Sequence, residues 1–181
     1  MVDPGQVEPI LNDAARLVGE GEIVVFGSAA LAFWLEAPPA SRDVDVLCEP
    51  AEKGEILTAM MGELSWYHEK HGAFVEVWAP ETFAAPDGWR ERARLVQHQD
   101  LPRVELVIPH PHDVLVSKLE RMESKDREHA RALLSEYPLE TAAFDALVAA
   151  SPHRRGRVID PERVRRFEHG CEVVRAMLAA G

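Results

Sequence analysis

Two β-branched runs near the N-terminus, residues 22–26 and 43–49, do most to limit the folds open to this chain. The first, EIVVF, is typical of a short buried strand. The second, DVDVLCE, alternates acidic and apolar residues with the period of a strand that buries one face. Helical patterns come before the first run and after the second, so the sequence predicts an α/β fold.

The rest of the chain divides by the same periodicities. Further strands are predicted over residues 73–80 and 103–109, and residues 86–95 read as a turn with a short helical piece. Helices are predicted over residues 7–18, 29–36, 51–67, 113–137 and 139–151, and from Pro161 onward with Asp160 as its N-cap. We therefore expect an α/β (α+β) domain over residues 1–136 and a C-terminal helical extension over residues 137–181.

Composition narrows the class of protein. The 181 residues carry a net charge of −11, which disfavours a broad electrostatic grip on nucleic acid. Two cysteines without C-x-x-C spacing indicate reduced thiols rather than a disulfide framework. The first residues lack a signal-peptide pattern, and no apolar run reaches the roughly 20 residues that span a bilayer. A cytoplasmic protein without a membrane segment is the expectation.

Asp43 and Asp45 are unusual in a segment that otherwise resembles a buried strand. Residues i and i+2 of a strand face the same side, so the two carboxylates lie together. At about 4 Å their repulsion is roughly 4 kcal/mol at an effective dielectric near 20. A divalent cation would relieve it, and carboxylate oxygens suit Mg²⁺ or Mn²⁺. The alternative is an edge strand with a solvated acidic face.

Gly27 and Ser28 follow the first strand directly. A strand that ends in Gly-Ser and continues into a helix offers backbone N–H groups to a phosphate, and glycine allows the close approach. The alternative is that Ser28 caps the helix. Together with the paired carboxylates, the turn indicates a site for a metal–nucleotide complex.

These residues resemble a known family. VFGS at residues 25–28 and SRDVDV at residues 41–46 are similar to the signature of nucleotidyltransferases of the DNA polymerase β superfamily, in the bacterial abortive-infection and toxin-like subgroup. The resemblance implies a mixed sheet flanked by helices. It also implies that Asp43 and Asp45 bind Mg²⁺ (or Mn²⁺), and that Gly27, Ser28 and Arg42 contact the nucleotide.

A third carboxylate is implied on a neighbouring strand. Glu76 lies in HGAFVEVWAP, which resembles the corresponding run of the subgroup, and it is the preferred candidate as metal ligand and catalytic group. Glu105, in RVELVIP, is the other candidate. Each glutamate could instead be an ordinary solvent-facing strand residue.

The resemblance extends into PHDVLVSKLERMESKDREHARALL, residues 111–134. Lys118, Lys125 and Asp126 match its charged positions. By the resemblance, Lys118 approaches the nucleotide phosphates, while Lys125 and Asp126 begin a second helix and order the site. The alternative is a solvated helix face.

The implied activity is transfer of a nucleoside monophosphate from ATP or another NTP to a hydroxyl acceptor, with release of pyrophosphate. The acceptor stays open among an RNA end, a protein and a small molecule, and a toxin-type enzyme with a cognate antitoxin is one role. The alternative is a non-catalytic nucleotide-binding or protein-interaction module that keeps the fold. A run of arginines over residues 154–166 is either a polyanion-binding patch or a solvated face.

Overall fold

A computed structural model describes residues 2–98 and 101–180 of the chain. They form two compact units. Unit 1 comprises Met1–Thr82 and Ala93–Pro109, and unit 2 comprises Phe83–Arg92 and His110–Gly181. The predicted boundary at residue 136 lies within unit 2 and stays a prediction.

Unit 1 contains a mixed five-stranded sheet. Its strands are β1 (Gly21–Val25), β2 (Val44–Glu49), β3 (Val75–Val77), β4 (Arg94–His98) and β5 (Leu101–Ile108). The order across the sheet is β3-β2-β1-β5-β4. β1 is antiparallel to β2 and parallel to β5, while β2 and β3 run parallel. The predicted mixed sheet flanked by helices is confirmed.

The α-helices in the described part of unit 1 are α1 (Pro4–Val18), α2 (Glu52–Met61) and α3 (Trp66–His71). α1 and α2 bury apolar residues against the sheet, whereas α3 buries none and contacts α2. α1 begins with a capping box at Asp3 and ends at Gly19, whose φ of 74° suits glycine. α1 and α2 contact each other, and both contact the sheet. The buried strand residues Val44, Val46 and Cys48 face this core, as the alternation predicts.

Unit 2 is helical. Its helices are α4 (Trp89–Arg92), α5 (Pro111–Ser117), α6 (Ser124–Glu136), α7 (Thr141–Ala149) and α8 (Pro161–Ala180). Phe144 and Phe167 are fully buried in its core. α8 starts as predicted, since Asp160 Oδ1 accepts a hydrogen bond from the backbone N–H of Glu162 at 2.8 Å. Among the described residues, none of the helices combines the length and apolar character needed to cross a membrane.

The structure differs from the local predictions at four places. The helix predicted over residues 29–36 is a 3₁₀ helix that spans Ala29–Phe33, since an all-apolar run has no periodicity that distinguishes helix types. The helix predicted over residues 51–67 ends at Gly62. The helical pattern over residues 113–137 forms two helices separated near Met122, where φ is +40°; the second begins at Ser124, beside Lys125 and Asp126 as the resemblance implies. Residues 94–98 form the edge strand β4, which lacks an alternating pattern and leaves Leu95 exposed.

Close backbone packing at Gly170 generates a stability prediction. A Cβ at this position of α8 would lie 2.0 Å from the carbonyl oxygen of Leu119. Gly170→Ala should therefore lower the free energy of unfolding by about 2–3 kcal/mol, measured by urea denaturation. The control is Gly5→Ala in α1, where the nearest atom is 3.4 Å away. This change should stabilise by up to ~1 kcal/mol through helix propensity. Equal stabilities of Gly170→Ala and wild type would contradict the packing.

Candidate metal centre

Three carboxylates meet where β2 and β3 begin. Asp43 directly precedes β2, Asp45 lies within it, and Glu76 lies in β3. The parallel register pairs Asp45 with Glu76, and the two-residue repeat of the strand turns Asp43 to the same side as Asp45. One oxygen from each of the three side chains lies within 4.8 Å of the others, and all three residues are half-buried.

Glu105 lies elsewhere on the sheet. The parallel pairing of β1 with β5 sets Glu105 beside Glu22, and Glu22 in turn pairs with Glu49 of β2. Glu49 is four residues from Asp45, a separation of roughly 13 Å along a strand. Of the two predicted candidates, the structure thus brings Glu76 and not Glu105 to the aspartate pair.

The turn after β1 lies against Asp45. The backbone N–H of Phe26 donates to the carbonyl oxygen of Asp45 at 3.1 Å. Gly27 has a φ of +64°, and a Cβ on it would lie 2.0 Å from Asp45 Oδ2. Glycine is required here for both reasons, and the predicted neighbourhood of the turn and the aspartates is present.

Ser28 is the N-cap residue of the 3₁₀ helix, but its side chain makes no capping hydrogen bond. Its side chain is buried, and its hydroxyl makes a 3.0 Å hydrogen bond with the hydroxyl of Ser41. Ser41 also pairs with Val2 through two backbone hydrogen bonds. The Ser28–Ser41 hydrogen bond joins the Gly27–Ser28 turn to the segment that enters β2. It constrains this segment two residues before Asp43.

Trp78 is a site residue that the sequence did not indicate. Its indole Nε1–H donates to Asp45 Oδ1 at 3.0 Å. The signal was its position two residues after Glu76, on the same side of the continued strand. Arg42, by contrast, is exposed, donates to Glu63 Oε1 at 2.9 Å and lies over the ring of Phe74.

The electrostatics of this cluster favour neutralisation of its negative charge. Burial raises the pKa of Glu76, and the charges of Asp43 and Asp45 raise it further. The donor set consists of hard carboxylate oxygens, and the absence of a Cβ at Gly27 lets one of them, Asp45 Oδ2, lie against the backbone of the turn. The residues present therefore fit a divalent cation of the Mg²⁺ type.

Unit 2 brings Lys118 and Asp126 together. Lys118 Nζ lies 3.2 Å from Asp126 Oδ1, and the guanidinium of Arg121 contacts both oxygens of the same carboxylate at 2.7 and 2.8 Å. Lys118 is only 6% exposed and Asp126 is fully buried, whereas Lys125 is exposed. Burial opposes ionisation of Asp126, but hydrogen bonds and charges from Arg121 and Lys118 lower its pKa to about 2.

His129 lies buried in the same helix as Asp126. Its Nδ1 atom has no hydrogen-bond partner among the described residues. Burial, together with the charges of Lys118 and Lys125, lowers the pKa of His129 to about 4. The histidine is therefore neutral at physiological pH.

The arginine run is neutralised by carboxylates within unit 2. Each of its six guanidinium groups forms an ion pair: Arg154 with Glu168, Arg155 and Arg157 with Asp87, Arg163 and Arg166 with Glu120, and Arg165 with Glu162. This arrangement favours the solvated-face interpretation of the run over a polyanion-binding patch.

Comparison with protein families matches residues 6–173 to the family described as "Nucleotidyltransferase of unknown function (DUF6036)". Comparisons with curated proteins and with solved structures find no match. The family match covers both units.

Loss of Glu76 charge should stabilise the metal-free protein. Because its pKa is raised, the folded state loses stability as the pH rises through that pKa. In EDTA at pH 8, Glu76→Gln should raise the Tm, by roughly 2–4 °C for each kcal/mol of relieved repulsion. Mn²⁺ should then raise the Tm of wild type and not that of the variant.

Glu105→Gln is the matched control for that experiment, since Glu105 lies outside the cluster. It should leave both the Tm in EDTA and the response to Mn²⁺ close to wild type. A lower Tm for Glu76→Gln than for wild type in EDTA would show that the three carboxylates do not repel one another.

Acid should weaken the protein through Asp126. Its pKa of about 2 lies below the unfolded value near 3.9, so its stabilisation is present above about pH 5 and is lost as the pH falls toward 2. Asp126→Asn should cost about 3–5 kcal/mol near neutral pH and flatten the acid limb of the stability profile. Urea denaturation at a series of pH values measures both effects.

Asp145→Asn is the control for the Asp126 prediction. Asp145 pairs with Arg175 on the surface, and loss of such a pair should cost less than about 1 kcal/mol. Superimposable pH profiles of Asp126→Asn and wild type would contradict the assigned role of the buried carboxylate.

Proposed function

The chain belongs to this nucleotidyltransferase family, and from that premise we propose that it is an active, metal-dependent enzyme of the DNA polymerase β-like superfamily. It transfers a nucleoside monophosphate from an NTP to a hydroxyl acceptor. The observation that carries the proposal is the convergence of Asp43, Asp45 and Glu76, with one oxygen of each within 4.8 Å of the others.

Asp43 and Asp45 are the proposed metal ligands, with Glu76 as the third. A bound Mg²⁺ would offset their charge and polarise the phosphates of the nucleotide. Without a cation, three half-buried carboxylates repel one another. This repulsion would bring no benefit to a binding module that holds no metal. Mn²⁺ has the same preference for oxygen ligands and serves as the probe ion.

The turn at Gly27 and Ser28 is the proposed seat of the triphosphate. Its contribution comes from backbone N–H groups, since the Ser28 hydroxyl is bonded to Ser41 and the turn has no side chain at Gly27. Backbone N–H groups can approach phosphate oxygens closely only where no Cβ intervenes. Exposed Arg42 is available to a nucleotide only if it leaves Glu63.

The proposed reaction forms a bond from the acceptor oxygen to the α-phosphorus and breaks the bond from that phosphorus to the oxygen that bridges to the β-phosphorus. Pyrophosphate leaves. The proton of the acceptor hydroxyl passes to Glu76 or to solvent. Lys118, which pairs with Asp126 in unit 2, is assigned to the phosphates by the family resemblance, and Lys125 and Asp126 are assigned to the ordering of the site.

The acceptor and the biological role rest on the resemblance to toxin-like members. We propose an RNA end, a protein or a small molecule as acceptor, and a cognate antitoxin as partner if the enzyme is a toxin. The net charge of −11 and the paired arginines argue against contact with a long stretch of duplex.

Label transfer tests the proposal. Purified protein is incubated with each α-³²P-labelled NTP, Mg²⁺ or Mn²⁺, and either total RNA or a protein extract. Wild type should label an acceptor, Asp45→Asn should not, and Glu105→Gln should label it as wild type does. A γ-labelled NTP should label nothing, because that phosphate leaves with pyrophosphate. Measurable binding of Mg–NTP with no transfer to any acceptor would instead support the non-catalytic module.

A further inference from the structure

We propose that Trp78 is a positioning residue that orients the Asp45 carboxylate for the metal through its indole N–H. The inference rests on the proposed function, since it concerns the same site. The observation that carries it is the 3.0 Å hydrogen bond from Nε1 of Trp78 to Oδ1 of Asp45.

The backbone holds Trp78 in place for this bond. Its own N–H donates to the carbonyl oxygen of Val46 at 2.9 Å, which continues the pairing of β3 with β2 one residue past the end of β3. Trp78 is two residues beyond Glu76, so both side chains project from the same side of the strand. The indole therefore reaches Asp45 from a rigid part of the sheet.

Both oxygens of Asp45 are constrained by different neighbours. Oδ1 accepts from the Trp78 indole, and Oδ2 lies against Gly27, 2.0 Å from the position a Cβ would take there. Rotation of the carboxylate about its last bond would break the first contact and move an oxygen away from the second. The arrangement selects one orientation of Asp45, which leaves Oδ2 on the side of the turn.

An indole is well suited to this role. It donates one hydrogen bond, accepts none and carries no charge at any accessible pH. A lysine or arginine at the same position would repel a cation and form an ion pair with Asp45, whereas the indole orients the ligand without competing for the site. Hydrogen bonds to metal ligands from residues that do not touch the metal usually change metal affinity by about 10–100-fold when they are removed.

Trp78 is 40% exposed. Burial of its ring therefore does not by itself account for the hydrogen bond to Asp45. Exposure also predicts that substitution of Trp78 leaves the fold intact.

Trp66 is the matched control. It is 68% exposed, its ring lies beside Lys70 Nζ at 4.6 Å, and it belongs to α3 rather than to the strands that carry the carboxylates.

The hydrogen bond is tested first in metal-free protein. The indole N–H signals of the four tryptophans are recorded by ¹⁵N-¹H correlation spectroscopy, and Trp78→Phe identifies the signal of Trp78. Asp45→Asn, which replaces an ionised acceptor with a neutral one, should shift this signal upfield, and Glu105→Gln should not. A Trp78 signal unaffected by Asp45→Asn would overturn the inference without any reference to metal binding.

The positioning role is tested by Mn²⁺ affinity, measured by electron paramagnetic resonance of the free ion. Trp78→Phe should bind Mn²⁺ about 10–100-fold more weakly than wild type, and Trp66→Phe should bind it within a factor of about two. Replacement of Trp78 by benzothienylalanine, which keeps the two-ring shape without the N–H, should match Trp78→Phe. If both replacements bind Mn²⁺ equally weakly, the lost affinity comes from the missing N–H donor and not from altered packing of the ring.

The two proposals fail in different ways. Wild type that binds no Mn²⁺ would overturn the proposed function and this inference with it. Wild type that binds Mn²⁺, together with Trp78→Phe or benzothienylalanine protein of equal affinity, would overturn the inference and leave the metal site standing.

Discussion

Repulsion among Asp43, Asp45 and Glu76 is the constraint on which the site depends. Parallel pairing of β2 with β3 holds one oxygen of each side chain within 4.8 Å of the others, and burial together with the two aspartates raises the pKa of Glu76. An arrangement that costs folding energy persists where the surrounding structure holds it in place. Here the ladder of the sheet, the Ser28–Ser41 bond, the Gly27 turn and the Trp78 indole all hold the carboxylates together rather than apart.

In unit 2, by contrast, carboxylates are paired with cationic side chains. Asp126 is fully buried but receives the guanidinium of Arg121 and the ammonium of Lys118, so its negative charge is matched within the unit. Glu120 is similarly surrounded by Arg163, Arg166 and His153. In unit 2, cations thus surround these carboxylates, whereas in the acidic cluster of unit 1 the neighbouring carboxylates of Asp43 and Asp45 raise the pKa of Glu76. That contrast is the reason to assign a cation to the cluster.

The sequence was sufficient for the parts of the fold and site that follow from short-range periodicity. The alternation in DVDVLCE predicted both the strand and the shared side of Asp43 and Asp45, and the Gly-Ser turn was expected beside them. Three features depend on distant pairings that one sequence does not contain. The preference for Glu76 over Glu105 came from the family resemblance, and its physical cause is strand order. The Ser28–Ser41 bond joins residues 13 positions apart, and the Trp78–Asp45 bond joins residues 33 positions apart. The 3₁₀ helix and β4 were missed because neither run has a distinguishing period.

The most direct test of the central claim is a crystal structure of the protein with Mn²⁺ and a non-hydrolysable NTP, with data collected near the manganese absorption edge. We expect an anomalous difference peak within coordination distance of carboxylate oxygens from Asp43, Asp45 and Glu76, with the triphosphate against the turn at Gly27. A fully occupied nucleotide with its manganese elsewhere, and the three carboxylates without a cation between them, would contradict the account.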